Sequence, residues 1–270
     1  MTVLRQKVGV IGCGTMGSAI LRGLLEARVA AARQLVGTDP APARRAALRR
    51  WGCRAAPSNA ALARVCDVVV LAVKPQEMAA VLDDIAPCLR RSQLVISIAA
   101  GRSTRWIEQR LGRRQPVIRA MPNTPAQIRQ GITVLCRGGA AGPAHAAVAR
   151  ALFSALGEVL ELPERHFHAV TAVSGSGPAY LFFLMEAMLE AGRRLKLPTA
   201  ALERLVLQTV IGSAALARAS GEPPAALRAR VTSKGGTTKA ALRVFEQAHV
   251  RTGVVAGLLA AARRSAQLGA

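Results

Sequence analysis

The chain has 270 residues, 51% of them apolar and 3% aromatic, with 37 Lys and Arg against 15 Asp and Glu for a formal charge of +22. That length buries a sizeable core and divides most naturally into two domains, and the apolar share excludes a disordered chain. No apolar stretch approaches the ~20 residues of a membrane span; the longest clean run, 254–262, contains Gly257 and is followed by Arg263 and Arg264.

From the N-terminus, β-branched apolar runs at 7–11, 34–37, 68–72, 94–98, 117–119, 132–135 and 158–161 alternate with helical patterns. The helical patterns fall at 16–27, 42–51, 58–64, 76–85, 103–111 and 143–156. Such alternation predicts an α/β domain with a parallel sheet and crossover helices. Runs such as VVVLAV are apolar on both faces, as burial between helix layers requires. After Leu162 and Pro163 the strand signal ends, and helical patterns follow at 164–172, 177–195, 199–219, 223–230, 237–247 and 250–268. Pro198, Gly221 with Pro223 and Pro224, and Gly235 with Gly236 mark the joints. The expected organisation is an α/β domain over 1–162 and an all-helical domain over 163–270. Stretches such as AYLFFLMEAMLEA are apolar around most of a helix and need more partners than one small domain supplies, so a homo-oligomer is expected.

The N-terminal apolar run leads straight into a glycine turn rather than a cleavage site, which points to a cytoplasmic location. Cys13, Cys53, Cys66, Cys88 and Cys136 are scattered without a CxxC pair, so buried reduced thiols are expected rather than disulfides or a metal site. The arginine pairs 44–45, 49–50, 90–91, 113–114, 193–194 and 263–264 are spread along the whole chain, mostly in alanine-rich helical segments. Solvated basic faces account for them, and so few aromatics leave no stacking platform for single strands. No specific nucleic acid is expected as a partner, nor a membrane. A basic nucleic-acid-binding protein with a vestigial cofactor fold is the remote alternative.

The segment KVGVIGCGTMGSAILRGLLEA places Gly12, Gly14 and Gly17 as GxGxxG between the first strand and the first helix. Gly12 permits the tight turn, Gly14 lets the backbone approach a pyrophosphate, and Gly17 allows close helix–strand packing. The helix start at Thr15, Met16 and Gly17 supplies N–H groups to the anion. This is the fingerprint of a Rossmann-type dinucleotide-binding domain. Asp39, after the second strand, could bond ribose hydroxyls, which favours NAD(H); Arg44 and Arg45 could instead hold a 2′-phosphate, which favours NADP(H). In AVKP, Ala72, Lys74 and Pro75 close a strand at its carboxyl end, where ligands of open α/β sheets sit. Asn59 is placed to reach the adenosine half, or to cap a helix.

Three further strings occur together: IRAMPNTPAQIRQGIT (118–133), AVTAVSGSGPAYLFF (169–183) and RVTSKGGTTKAALRVFE (230–246). With IGCGTMG and AVKP in the same order, they closely resemble the pyrroline-5-carboxylate reductase family over nearly the whole chain. The resemblance implies a Rossmann domain followed by a helical dimerisation domain. It implies reduction of 1-pyrroline-5-carboxylate to L-proline by a nicotinamide cofactor; between the conflicting cues at Asp39 and Arg44–Arg45, NADP(H) is expected first and NAD(H) second. It places Asn123 beside the nicotinamide and Ser174 by the substrate pocket, though Asn123 could instead bond its own turn and Ser174 cap a helix, and it has the loop of Ser233, Gly235, Gly236 and Thr237 hold the substrate carboxylate. Thr238 then bonds the imine nitrogen. The residues agree: free N–H groups at a helix start bind a carboxylate with help from the helix dipole. One departure is Lys234, where the family usually has proline; it loosens the loop and sets an ammonium beside an acid site.

A protonated cyclic imine is already electrophilic, so the chemistry needs geometry and a polar contact rather than a strong acid, with protons from solvent. His145, His166, His168 and His249 read as solvated or capping residues. A β-hydroxyacid dehydrogenase-like enzyme is an alternative, but it would use a lysine on the long interdomain helix, and 175–195 carries none; Lys196 comes only at its end. Reduction of another cyclic imino acid by the same loop is the closer alternative.

Overall fold

The computed structural model describes residues 3–112 and 114–269; Arg113, of one arginine pair above, lies outside them. Eight strands form one sheet: β1 (Val8–Ile11), β2 (Leu35–Thr38), β3 (Arg54–Ala55), β4 (Val68–Leu71), β5 (Leu94–Ser97), β6 (Val117–Met121), β7 (Gly131–Arg137) and β8 (Gly157–Glu161). Their order is β3-β2-β1-β4-β5-β6-β7-β8. β1 lies between β2 and β4, with Ile11 level with Thr38 on one side and Leu71 on the other. The winding therefore reverses beside β1, and the carboxyl ends of β1 and β4 form the switch point where such sheets bind ligands.

The strands between β1 and β6 are buried because successive side chains feed two cores. Val68 and Val70 join one apolar cluster, with Val8, Val10 and Ile96, while Val69 and Leu71 join the other, with Ile11 and Val95. The helices of this region are α1 (Thr15–Glu26), α2 (Pro42–Arg50), α3 (Asn59–Val65), α4 (Met78–Ile85), α5 (Thr104–Arg110) and α6 (Pro143–Ser154). Ile20, Leu24 and Phe153 fill the first cluster; Leu62, Met78, Leu82 and Ile107 fill the second.

The sheet departs from the expected all-parallel arrangement at one place. β6 and β7 are antiparallel, and β8 runs parallel to β7. The connection after β6 holds only a short 3₁₀ turn, Thr124–Ile128, and a parallel return needs a crossover of a dozen residues or more, usually with a helix. β7 and β8 are joined through α6 and so can run the same way.

The chain divides into two compact units, Met1–Ser176 with Ala261–Ala270, and Gly177–Ala260. The sheet ends at Glu161, beside the expected boundary, yet the segment after it stays with the first unit. There a short helix, α7 (Phe167–Val170), buries Phe167 against Val134 and Cys136. The second unit comprises α8 (Gly177–Arg194), α9 (Thr199–Ser220), α10 (Pro224–Arg230), α11 (Thr237–Gln247) and the first part of α12 (Val250–Gln267). Leu202 and Val206 are buried, whereas Phe182, Phe183, Ile211, Phe245 and Val254 are exposed. So little burial leaves the unit with a small apolar core of its own.

Among the described residues, two helices are long and apolar enough to cross a membrane by length and composition, Glu164–Arg194 and Thr199–Ser220. This corrects the expectation that no segment approaches that length: charges such as Glu186 break the apolar runs and lower the mean hydropathy, but they are too few to bring the most apolar stretch of either helix below that of a spanning segment. The arginines of pairs 49–50, 193–194 and 263–264 are exposed on helices, as solvated faces require, and the exposed pair 90–91 lies in the turn before β5.

Candidate active site

The first glycine turn is built by close approach. Gly12, at φ +89°, sits where a β-carbon would lie 2.7 Å from the Ala72 carbonyl oxygen, so β1 and β4 end against each other. A β-carbon on Gly17 would lie 2.0 Å from the Gly12 carbonyl oxygen, which brings α1 hard against the turn. Gly14 is the N-cap of α1; among the described residues no side chain caps this helix, and its first turn carries no acid. The first helical bond is from Ser18 N to Gly14 O, leaving the N–H groups of Thr15, Met16 and Gly17 without helical acceptors. Thr15 is exposed and Met16 half-buried. The result is an anion cradle at the switch point, with the helix dipole behind it. The residues present therefore fit a dinucleotide pyrophosphate.

Around the cradle, Asp39 is buried, and its carboxylate accepts from Cys13 N at 2.9 Å, Ala41 N at 2.9 Å and Arg44 Nη1 at 3.1 Å. It braces the turn from beneath. Cys13 lies inside that brace, and burial, then the Asp39 charge, pushes its thiol up to about 12. It is a packing residue, as are Cys66 and Cys136, each pushed up to about 12 chiefly by burial. Ser58, not Asn59, caps α3, accepting from Ala61 N; the half-buried Asn59 side chain is left for another partner. Lys74 is exposed just beyond β4, and its carbonyl accepts from Glu77 N at 3.0 Å, which turns the chain at Pro75 into α4.

Asn123 Oδ1 accepts from Ile132 N at 3.0 Å, so the side chain ties the MPNTP turn to the start of β7 rather than bonding its own turn. Its amide N–H groups remain as donors. MPNTP also meets SGSG: a β-carbon on Gly175 would lie 2.5 Å from Met121 Cε. Ser174 does not cap a helix. It lies within a π-helical stretch, Thr171–Gly175, and its hydroxyl donates to Val170 O at 3.1 Å, with oxygen lone pairs still available.

In the second unit, Gly235 takes φ +77° and Gly236 is the N-cap of α11. Neither Ser233 nor a threonine caps this helix, and the N–H groups of Thr237, Thr238 and Lys239 have no acceptor among the described residues. Ser233 and Thr237 are exposed and Thr238 is half-buried. The loop borders a cavity of about 900 Å³ whose lining includes Arg228, Thr232, Lys234, Gly236, Lys239 and Arg243. Such a rim favours an anion.

The sequence reading passed over one polar cluster. Arg119, two residues before MPNTP, is buried on β6; its Nη1 donates to Glu164 Oε1 at 3.0 Å, and its guanidinium lies 4.8 Å from the Phe167 ring centroid. Thr104 donates to the same carboxylate through its N–H at 2.8 Å and hydroxyl at 2.7 Å. The signal was an arginine inside an otherwise apolar strand, VIRAM. His145 bonds Gly142 N at the start of α6, and His168 Nδ1 lies 3.0 Å from Ser265 Oγ. Lys196 ends α8 in an exposed left-handed turn.

Comparison with known proteins adds the chemistry. A family model described as pyrroline-5-carboxylate reductase dimerisation matches residues 164–268, and one described as NADP oxidoreductase coenzyme F420-dependent matches residues 7–101. The pyrroline-5-carboxylate reductase of Pseudomonas aeruginosa is 44% identical over 97% of this chain and 96% of its own length. That of Escherichia coli is 38% identical over 98% and 99%. The crystal structure of the Plasmodium falciparum pyrroline carboxylate reductase with NADP bound superposes with a TM-score of 0.92 at 30% identity, covering 99% of this chain and 100% of that one.

Proposed function

The chain belongs to the pyrroline-5-carboxylate reductase family, and from that membership we propose how its own residues carry out the family reaction. The reaction is reduction of 1-pyrroline-5-carboxylate to L-proline, an oxidoreductase step of proline biosynthesis that uses NADP(H), with NAD(H) compatible. The observation that carries the assignment of roles is the pair of open helix starts, each entered at glycine: α1 for the dinucleotide, α11 for the substrate acid.

When bound, the nicotinamide supplies the hydride. The turn of Gly12, Gly14, Thr15, Met16 and Gly17 holds the pyrophosphate on backbone N–H groups, with Asp39 fixing the turn's shape from below. Ala72, Lys74 and Pro75 border the dinucleotide at the end of β4. Asn59 serves the adenosine half, and Asn123, pinned through Ile132, offers amide donors to the nicotinamide. Ser233, Gly235, Gly236 and Thr237 grip the substrate carboxylate with charge-assisted bonds, and the Ser174 oxygen lies toward the ring. The Thr238 hydroxyl bonds the imine nitrogen and holds the imine carbon in line for transfer. Orientation of this kind accounts for roughly 7–11 kcal/mol of barrier lowering. The proton on nitrogen comes with the iminium form, and solvent rebalances it.

The exposed apolar faces of α8 and α9 and the dimerisation match make the chain a homo-oligomer. We place it in the cytoplasm, with a small imino acid rather than nucleic acid or lipid as its ligand. The test is NADPH oxidation with 1-pyrroline-5-carboxylate, with proline measured directly, beside a six-membered cyclic imino acid. Turnover of the five-membered ring, at least tenfold reduced by Thr238→Ala and restored by Thr238→Ser, is expected. Equal turnover by Thr238→Ala refutes its role, and preference for the six-membered ring refutes the substrate.

A further inference from the structure

We infer that Arg44 is the residue that reads the 2′-phosphate of the dinucleotide, and that Asp39 is a positioning residue that serves Arg44 and the glycine turn instead of the ribose. This rests on the reading of residues 12–17 as the dinucleotide site and deepens it.

The acceptor accounting at Asp39 is the first support. An ionised carboxylate offers about four lone-pair sites. Oδ2 takes Cys13 N–H and Arg44 Nη1–H, and Oδ1 takes Ala41 N–H. The side chain is only 2% exposed. A ribose diol donates hydrogen bonds and needs an outward carboxylate oxygen; the Asp39 oxygens face inward onto their own chain. The aspartate that in sequence favours the unphosphorylated cofactor is already committed.

The second support is where Arg44 lies. Its side chain is 54% exposed. Its Nη1 and Cζ stand 3.8 and 3.9 Å from the point a Gly14 β-carbon would occupy, and they are the nearest atoms to it. That is the face left clear for a pyrophosphate. One N–H of the guanidinium is held by Asp39, which fixes the group over the turn and leaves the rest of its donor fork for a second anion. A 2′-phosphate carries about −1.5 to −2 charges at neutral pH and matches that fork. A bare hydroxyl gains little from it.

The third support separates Arg44 from its neighbour. Arg45 Nη1 donates to the carbonyls of Asp39 at 2.7 Å and Pro40 at 2.8 Å, so it ties down the chain that leaves β2. Adjacent arginines that look interchangeable in sequence do different work.

The experiment titrates the whole protein by calorimetry with NADPH, NADH, 2′,5′-ADP and 5′-AMP, for the parent, Arg44→Ala, Arg44→Lys, Arg45→Ala and Asp39→Asn. Arg44→Ala is expected to weaken NADPH and 2′,5′-ADP at least tenfold, with NADH and 5′-AMP changed less than twofold. Arg44→Lys recovers part of the loss, since charge returns without the fork. Arg45→Ala shifts phosphorylated and unphosphorylated ligands by the same factor. Asp39→Asn weakens both classes. The inference is overturned if Arg44→Ala lowers all four affinities equally or leaves the 2′-phosphate preference intact, or if Asp39→Asn removes NADH binding alone. Binding is read without an imine. The Arg44→Ala shift together with a parent that forms no proline sinks the reductase reading only; proline formation by the parent with an unaltered preference in Arg44→Ala sinks this inference only.

Discussion

Two glycines of the cofactor turn, three residues apart, should respond to the same methyl group in opposite ways. In Gly17→Ala the new β-carbon lies 2.0 Å from Gly12 O, 3.1 Å from Gly12 C and 3.1 Å from Val10 Cγ1. Two of those atoms are backbone and cannot swing aside, so α1 must back away from β1 by roughly 1 Å, an overpacking strain of about 2–3 kcal/mol. For a unit of this size that lowers the melting temperature by roughly 5–10 °C. In Gly14→Ala the φ of −70° suits any residue, and the closest side-chain atom, Arg44 Nη1 at 3.8 Å, is at ordinary contact distance and need not move. The fold should lose under about 0.5 kcal/mol. Its methyl, however, occupies the approach to the turn's N–H groups, and one or two charge-assisted bonds lost at about 1.5–3 kcal/mol each raise the dinucleotide Kd roughly 10- to 100-fold or more. Parallel thermal melts and NADPH titrations of both variants separate the effects. Undiminished NADPH affinity in Gly14→Ala, or an unchanged melting temperature in Gly17→Ala, refutes the reading of this turn.

Replacing Lys234 by proline should raise KM for the imino acid by about two- to fivefold and flatten its salt dependence, with kcat held, because a loop ammonium attracts the acid only through screened solvent; identical acid-specificity and salt profiles would dismiss the idea. Glu164→Ala should cost about 2–4 kcal/mol in denaturant unfolding, since it strands the buried Arg119 charge and two Thr104 donors, and Glu164→Gln should cost less; equal stability of parent and Glu164→Ala would remove that ion pair from the account. Burial, and next the Arg119 charge, lowers His168 below its ordinary 6.5, so the fold favours the neutral ring. Its contribution is complete above about pH 6.5 and is lost as pH falls through the lower folded value. His168→Gln should therefore flatten the fall in stability between about pH 7 and 5, and an unchanged slope would clear His168.

What the sequence made legible was whatever local periodicity encodes. The helices at 42–50, 237–247 and 250–267 begin where expected and end within a residue of the forecast; Pro42 and Gly236 punctuate the first two starts, while the joint before the third is a left-handed His249. The two-residue β3 was invisible: Arg54 and Ala55 carry no alternation, and β2 recruits them as an edge. The reversed direction of β7 was equally hidden, since direction follows from what can span the gap after Met121, not from the strand's composition. At the site, motifs located the glycines, MPNTP and TSKGGTT. They could not show that Asp39 faces inward or that Ser58 rather than Asn59 caps α3, because both depend on which donor is nearest in space.

A glycine before a helix is not by itself a ligand signal, and α6 shows why. It too is entered at glycine, but His145 Nδ1 accepts the Gly142 N–H, and Pro143 at its first position has no N–H to offer. His145 N also turns back onto Gly142 O, so that entrance keeps fewer open donors. The N-cap N–H of α11 is likewise answered, by Ser233 O, but Thr237 stands at its first position with an N–H where α6 has proline; among the described residues neither α1 nor α11 has a side-chain cap, and each has a cation near its start, Arg44 at Gly14 and Lys234 beside Gly235. Leaving three N–H groups open next to positive charge is unfavourable for folding alone. It becomes favourable when an anion arrives, and this chain keeps two such entrances, one for each negatively charged participant in the reduction.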